Sequence, residues 1–291
     1  MEPTPLNSAD APSFASDRRA AREAGRRAKN RRSVTIAAVS TAVVLGGLAA
    51  LILTSPGWPS VRDTFFSWSA FKSSFGDVLS GFWLDVRLFL IVEAAVLIVG
   101  LLIALCRTAR APALFPVKLI AAVFTDVFRG VPTILVVYLI GFGIPALQLT
   151  GLPTDPVVLG GLALTLSYSA YVSEVYRAGI DSVHGSQSAA ALALGLTRTQ
   201  ATRYVVLPQA IRRVLPPLLN DFISLQKDVA LVSILGPQEA FRVAQISASS
   251  TFNYTPLLAA AALYLCVTIP LARILDRMQA RDRARREAAF A

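Results

Sequence analysis

The side chains of this chain that could bind a polar solute are the polar and ionisable ones inside its apolar stretches. Burying such groups in a membrane-like environment is costly, so they mark solute pathways or interhelical ion pairs. Cations such as Arg129 and Lys227 could receive a carboxylate, whereas Asp228 and Glu174 could receive an ammonium group. The competing interpretation is packing alone, for example a pair of Lys227 with Asp228 or Glu174. The candidate path consists of Arg129, Glu174, Asn220, Gln226, Lys227 and Asp228.

Enzymatic chemistry has no visible basis in the sequence. The chain contains no G-x-x-x-x-G-K-[ST] run for ATP, no G-x-S-x-G elbow and no H-E-x-x-H pair. Its single histidine, His184, has no neighbouring Cys or His, and Cys106 and Cys266 lie in or beside apolar runs. A metal site needs several converging ligands. We therefore expect no catalytic residues, no metal and no cofactor in this chain.

The elements that must position the candidate path are apolar helices. Hydrophobic residues make up 54% of the 291-residue chain and charged residues only 16%, against about 25% charged in soluble domains. A membrane core takes about 20 apolar residues in a helix. The uncharged runs predict an all-α polytopic membrane protein with six transmembrane helices, at about 34–53, 82–106, 116–147, 156–176, 211–235 and 255–274.

Two features interrupt or separate the predicted helices. The third predicted helix is interrupted at 128–132 (FRGVP), and Pro132 predicts a kink or a break because proline lacks a backbone donor and clashes with the preceding turn. Residues 54–81 are rich in Trp and Phe, which is typical of a membrane interface, and they are predicted to form an extracytoplasmic loop. The segments 1–33 and 276–291 are predicted to be basic tails.

Lys and Arg are distributed unequally between the two faces of this arrangement. With six helices, 22 of the 28 basic residues fall on the face that carries both termini, and three fall on the opposite face. Cytoplasmic loops carry the excess of Lys and Arg, so both termini are predicted to be cytoplasmic in a multi-pass inner-membrane protein. The net charge of +10 therefore indicates membrane topology and not nucleic-acid binding.

The predicted cytoplasmic loop 182–208 has its own helical signals. Residues 188–194 are dominated by Ala and Leu, which favour helix, and Gly195 can end that helix in the left-handed conformation. Thr197 can cap a second helix with Gln200 as its capping-box partner, and Pro208 is expected to end or redirect that helix. The pattern predicts a short helix-turn-helix whose small side chains could slot into a groove on a partner protein.

The same loop resembles the EAA loop of ABC-importer permeases, and more narrowly that of the polar amino-acid permease family. The resemblance rests on 187–195 (QSAAALALG) and 207–210 (LPQA). Flanking motifs agree in order and spacing, and the likeness covers about residues 82–275. These motifs are 128–132 (FRGVP), 170–177 (AYVSEVYR), 215–220 (LPPLLN) and 227–231 (KDVAL).

The resemblance implies a fold, a function and partners. The five-helix core of a type I ABC-importer permease would occupy 82–275, with 34–53 as one extra N-terminal helix. Two ABC ATPase subunits, which bind ATP and Mg²⁺ themselves, would dock on the loop, and a second permease and an extracytoplasmic solute-binding protein would complete the importer. The residues expected to couple to the ATPase are Gln187, Ala189, Ala190, Ala191, Gly195, Leu207 and Pro208.

Two positions depart from the family pattern. The glutamate of the motif is Ala189 here, and the glycine before Gln187 is Ser186. The loss of one carboxylate leads us to expect a non-identical second permease that supplies the complete motif. The resemblance points to glutamate, glutamine, arginine or histidine as substrate. A permease for another small polar solute is the alternative, and a self-contained secondary transporter is disfavoured because the chain shows no paired repeats.

Overall fold

A computed structural model describes residues 33–108 and 111–290 of the chain, and the side chains at 282–283 and 285–290 fall outside that description. Most of the predicted N-terminal tail therefore lies outside the described residues. The described part contains eleven α-helices. They are α1 (Ser33–Leu53), α2 (Trp58–Phe65), α3 (Trp68–Thr108), α4 (Phe115–Gly130), α5 (Thr133–Ala146), α6 (Pro156–Asp181), α7 (Gly185–Ala193), α8 (Arg198–Ala201), α9 (Leu207–Asp228), α10 (Ala240–Thr251) and α11 (Thr255–Phe290).

Four helical segments of the described residues are long and apolar enough to cross a membrane, and a fifth qualifies if one bent pair counts as a single span. With the bent pair counted as one span, these five segments match five of the six predicted transmembrane helices. The exception is the predicted helix at 211–235, where α9 continues into a 3₁₀ helix at Val229–Leu235. Five charged side chains interrupt its apolar character, namely Arg212, Arg213, Asp221, Lys227 and Asp228.

The predicted break in the third span is confirmed. α4 ends at Gly130 and α5 begins at Thr133, and the two helix axes meet at a bend of 106°. Pro132 explains the position of the bend, because its ring cannot donate a hydrogen bond and holds the preceding residue in extended geometry. Val131 has ψ 130°, outside the helical region.

The segment 54–81, which the sequence predicted to be an extracytoplasmic loop, is largely helical. Residues 58–65 form α2, and α3 begins at Trp68 and runs without a break for 41 residues. The glycines and polar residues of this stretch do not interrupt the helix, because its faces pack against α10 and α11. At 1.5 Å per residue α3 is about 60 Å long, twice the thickness of a bilayer core. About half of α3 must therefore extend beyond a membrane core. α11 likewise continues past its predicted end at 274 through the predicted C-terminal tail.

Two hydrophobic clusters hold the helices of residues 63–290 together. The first joins the middle of α3 to α5, α6, α9 and the 3₁₀ helix, with Val96, Leu164 and Leu225 at its centre. The second joins the beginning of α3 to α10 and α11 through Val78 and Ala240. Helix α3 contributes residues to both clusters and therefore connects them.

Candidate functional site: the α7–α8 loop and the polar interior

The loop between α6 and α9 folds as the sequence predicts. His184 caps α7, and its Nδ1 accepts a hydrogen bond from the backbone N–H of Ser186. Gly195 ends the turn after α7 with φ +86°, in the left-handed region that glycine adopts without strain. The N–H of Leu196 donates to the carbonyl of Ala191 at 3.2 Å, which closes a Schellman cap.

The capping box at the start of α8 is confirmed. The N–H of Gln200 donates to Thr197 Oγ1 at 3.3 Å, and the N–H of Thr197 donates to Gln200 Oε1 at 2.9 Å. Helix α8 has only four residues. These two side chains satisfy backbone donors at the N-terminus of α8 that have no partner within the helix.

Replacing Thr197 by alanine is expected to loosen the loop by about 1 kcal/mol, the usual cost of losing an N-cap hydroxyl. Hydrogen exchange of the amides 198–201 should accelerate about fivefold, while the amides of α6 keep their protection. Thr197→Ser is the matched control, because serine retains the hydroxyl and should exchange like the natural chain. Equal protection in Thr197→Ala would show that the capping box does not hold α8.

Pro208 does not end the helix, which was one of the two predicted alternatives. A π-helical turn at Thr202–Val206 joins α8 to α9, and the N–H of Leu207 donates to the carbonyl of Thr202, five residues back. The wider turn accommodates a proline because Pro208 sits in the first turn of α9, where a missing N–H is tolerated. Helix α8, the π-helical turn and α9 thus form one continuous helical run.

The residues expected to contact an ATPase differ in their exposure to solvent. Gln187, Ala189, Ala190, Gly195, Leu207 and Pro208 are exposed, whereas Ala191 is buried. Ala191 therefore fixes α7 against the rest of the loop and does not offer a contact surface. Sequence reasoning missed Leu194, which is 82% exposed, and Tyr204, which is 65% exposed. Leu194 follows the exposed alanines of α7 directly in the chain, and an exposed apolar side chain there is suited to contact with a partner protein.

Contacts on both sides anchor this loop to the long helices. The guanidinium of Arg213 on α9 donates to the carbonyl of Ser182, directly after α6. Gln209 Nε2 lies 3.5 Å from Gln187 Oε1, which brings the two halves of the loop motif together. Gly179 of α6 lies so close to Val214 of α9 that a Cβ at Gly179 would come within 1.9 Å of Val214 Cγ2. Movement of the loop must therefore involve α6 and α9.

The structure assigns Glu174 to an ion-pair network instead of an open path. Its carboxylate accepts hydrogen bonds from Arg107 on α3 and from Arg177 one turn further along α6. Arg177 also pairs with Asp181 at 2.9 Å. The predicted alternative of a Glu174–Lys227 pair is wrong, because both carboxylate oxygens of Glu174 already accept from these two arginines, which the sequence pattern had placed in loops.

Arg129 lies at the bend between α4 and α5. Its guanidinium carbon is 5.9 Å from the centroid of the Tyr171 ring, and the hydroxyl of Tyr171 donates to the Arg129 carbonyl at 3.2 Å. Arg129 is exposed. The cation–π contact orients the side chain and leaves its N–H groups available for an anion.

The four candidates on α9 and at its end divide into two pairs. Gln226 is buried and accepts from Thr268 of α11 at 2.8 Å, and Asp228 accepts from Tyr168 of α6 at 2.7 Å. These contacts fix the packing of α9. Asn220 and Lys227 are exposed and lie seven residues apart, hence on the same helix face. This face of α9 is the part of the predicted path that stays open in the single chain.

Two carboxylates in the interior belong with this set, although the sequence pattern did not place them together. Glu93 of α3 and Asp221 of α9 lie within electrostatic range of each other. Phe89 and Phe222, one turn before Glu93 and one residue after Asp221, meet with ring centroids 4.6 Å apart. Asp221 Oδ2 is buried without a hydrogen-bond partner among the described residues. An unpaired buried carboxylate oxygen is costly, which marks this position as a functional candidate.

A second carboxyl pair involves α3 about two turns before Glu93. Asp85 of α3 and Glu239, the residue before α10, are 3% and 2% exposed. The hydroxyl of Tyr264 on α11 lies 2.7 Å from Asp85 Oδ2 and 3.4 Å from Glu239 Oε2. Within the described residues no group of three or more His, Cys, Asp or Glu is arranged to hold a metal ion.

Three named transport proteins are similar to the chain. The putative glutamine transport system permease protein GlnP of Rickettsia conorii is 35% identical over 185 residues, covering 62% of this chain and 83% of the relative. The arginine transport system permease protein ArtQ of Bacillus subtilis is 33% identical over 195 residues, covering 67% and 87%. GlnP of Escherichia coli K12 is 33% identical over 217 residues, covering 74% and 97%.

Solved structures agree with these relatives. An amino acid ABC transporter crystallised with histidines matches with a TM-score of 0.65 at 34% identity, covering 75% of this chain and 98% of that one. The MetNI methionine ABC transporter in an inward-facing form matches with a TM-score of 0.54 at 17% identity, a likeness of fold. Residues 97–284 match the family model described as the binding-protein-dependent transport system inner membrane component. The chain therefore belongs to this family of inner-membrane transport components.

Proposed function

We propose that the chain is the permease subunit of an ABC importer for a polar amino acid, driven by ATPase subunits that dock on the 185–208 loop. The observation that carries this proposal is the exposed surface of Ala189, Ala190 and Leu194, held by α6 and α9 through Arg213 and Gly179. A force applied to this surface reaches the long helices directly. Relatives named for glutamine and for arginine support an amino acid as the substrate, and glutamate and histidine remain in the same class.

In this proposal α9 and the 3₁₀ helix form the sixth membrane crossing, and both termini are cytoplasmic. The low hydropathy of α9 is compatible with a crossing because Gln226 and Asp228 turn inward to bond Thr268 and Tyr168. Charged groups are tolerated in membrane helices when they face the protein interior. The excess of Lys and Arg on one predicted face supports the orientation.

The partners follow from the exposed loop and from its sequence. ABC ATPase subunits, which bind ATP and Mg²⁺, would contact α7, and a solute-binding protein would deliver substrate on the opposite face. Ala189 is exposed at the position where the family motif has a carboxylate. A second permease that differs from this chain would supply that carboxylate, giving an asymmetric pair of docking sites.

The contacts favour a substrate path that contains fewer of the candidate residues than the sequence predicted. Asn220 and Lys227 lie on the open face of α9, and Asp221, which follows Asn220 in the chain, lies within electrostatic range of Glu93. Lys227 would receive the substrate carboxylate, and the interior carboxylates would attract its ammonium group. Arg129 keeps its role as a second anion-binding group, whereas Glu174 serves the packing of α3 against α6.

Site-directed cross-linking tests the docking of an ATPase. The full-length chain, with Cys106 and Cys266 replaced by serine, would carry Ala190→Cys and be purified from its native membrane with the ATPase that accompanies it. Ala190→Cys, labelled with benzophenone-maleimide, is expected to cross-link to that ATPase on irradiation, because the excited benzophenone inserts into nearby C–H bonds of any side chain. Ala191→Cys is the matched control, since its side chain is buried and should give at least tenfold less product.

Two outcomes would contradict the proposal. No ABC ATPase co-purifying with the chain would remove the importer function. An ATPase that co-purifies but cross-links equally well at residues 190 and 191 would show that α7 is not the contact surface. Basal ATP hydrolysis of the co-purified complex reports whether the cysteine variants remain assembled.

A further inference from the structure

A cleft of about 560 Å³, with a mixed polar and apolar lining, opens between the first half of α3 and α10 with the segment that leads into it. One wall is a stripe on α3 with the spacing of a single helix face, formed by Ser73, Asp77, Ser80 and Arg87. Gln238 and Ser247 contribute polar groups to the other wall. The cleft lies apart from the loop and from the candidate path on α9.

The buried carboxyl pair beneath the cleft locks its two walls together. Asp85 Oδ2 accepts from the N–H of Ala240 at 3.3 Å and from Tyr264 at 2.7 Å, which joins α3, α10 and α11. Glu239 accepts from the N–H groups of Phe241 at 2.7 Å and Arg242 at 2.6 Å, so it fixes the start of α10. The walls of the cleft are therefore preorganised by buried contacts and do not depend on a ligand for their shape.

The position along α3 places this cleft at the end opposite the coupling loop. Between Arg87 and Arg107 the only charged residue is Glu93, and that stretch has the length of a bilayer core, about 30 Å. Arg107 pairs with Glu174 close to the loop. The cleft therefore faces the compartment from which an importer receives its substrate.

Two opposite charges in the cleft lack a partner in the part of the chain that the structure describes. Neither Asp77 nor Arg87 forms an ion pair or a side-chain hydrogen bond within the described residues. Both are exposed, and ten residues separate them, which is about 15 Å along the helix axis. The ammonium and carboxylate on one α-carbon are too close together to reach both groups. A ligand that satisfies both must carry its charges at opposite ends.

We propose that this cleft is an entry subsite for an amino acid with a cationic side chain, whose carboxylate pairs with Arg87 and whose side-chain cation pairs with Asp77. Gln238 and Ser247 on the opposite wall then accept hydrogen bonds from the α-ammonium group. The proposal rests on the proposed import function, because it assigns the substrate class and the entry face. A fork of N–H donors on Arg87 suits a carboxylate, and a single carboxylate on Asp77 suits a guanidinium or ammonium group.

Thiol protection in the full-length chain tests this subsite without the ATPase. Ser80→Cys, in a chain whose Cys106 and Cys266 are serine, would be labelled in lipid nanodiscs with a membrane-impermeant maleimide. L-arginine titrated through the millimolar range is expected to slow labelling by the factor 1 + [L]/Kd, about tenfold at ten times Kd. Agmatine lacks the carboxylate and L-glutamine lacks the side-chain cation, so each should protect at least tenfold less well.

Substitutions at Asp77 and Arg87 test which protein group binds each end of the ligand. Asp77→Asn and Arg87→Gln should each abolish protection by L-arginine, whereas Lys72→Gln, an exposed charge on α3 outside the cleft, should leave it unchanged. Protection by L-glutamine equal to that by L-arginine would overturn the assigned substrate class. A thiol at residue 80 that the maleimide cannot reach without ligand, or that no probe protects, would overturn the subsite. Since labelling needs no ATPase, cross-linking at residue 190 together with failed protection would leave the import function standing.

Discussion

Replacing Glu174 by alanine is expected to lower the free energy of unfolding by about 2 kcal/mol, because Arg107 is then left half-buried without its partner. Breaking a fully buried ion pair costs about 3–5 kcal/mol. The smaller value applies here because the side chains of Arg107 and Glu174 keep 17% and 16% of their exposure. Arg177 loses less, since it is 38% exposed and retains Asp181. The variant should also remove the Arg107–Glu174 contact, which links α3 to the end of α6 that leads into the loop.

The measurement is the apparent melting temperature of the purified chain in detergent, together with ATP hydrolysis of the assembled complex. Asp276→Ala is the matched control, because it breaks the exposed pair with Arg273 at 3.7 Å, which should contribute under about 0.5 kcal/mol. The double variant Arg107→Met/Glu174→Leu should recover most of the lost stability, because it removes both charges. A Glu174→Ala chain as stable as Asp276→Ala would disprove a structural role for the network.

Replacing Gly81 by alanine should destabilise the junction of α3 with α10 by about 2–3 kcal/mol, the upper part of the range for overpacking. A Cβ at this position would lie 2.7 Å from the backbone N of Ala240 and 2.7 Å from the backbone C of Glu239. Backbone atoms cannot rotate away as a side chain can. The helices must separate, which stretches the bonds of Asp85 to Ala240 and Tyr264.

Gly76→Ala on the same helix is the control for this prediction. No atom lies within 4 Å of a Cβ at Gly76, so alanine there should raise stability by about 0.5–1 kcal/mol through helix propensity. Opposite signs in the melting temperatures of the two variants are the expected result. A similar gain from both substitutions would mean that α3 and α10 do not approach as closely as described.

Local signals in the sequence predicted the parts of the fold that local chemistry determines. The break before Thr133 follows from Pro132, and the ends of α7 and α8 follow from Gly195, Thr197 and Gln200. The helical structure of residues 54–81 was not predicted, because their Trp and Phe side chains indicated a membrane interface and no helix. The helix there is stabilised by packing of α3 against α10 and α11.

Candidate site residues were harder to predict because their roles depend on contacts between distant segments. Nothing in a run of alanines distinguishes Ala190, which is exposed, from Ala191, which packs inward. Glu174 resembles a path residue until Arg107, 67 positions earlier, is brought beside it. Asp85 and Glu239 meet across 154 residues for the same reason. Only the tertiary arrangement brings the partners of these charges together.

The continuity of α3 has a mechanical consequence. A helix of 41 residues without a proline or another break behaves as a stiff lever about 60 Å long. If it pivots by about 5° at the Arg107 end, the Trp68 end sweeps through about 5 Å, close to the rise of one helical turn. The cleft and the Arg107–Glu174 pair therefore cannot be displaced independently. A small rotation near the coupling loop becomes a displacement of molecular size on the opposite face.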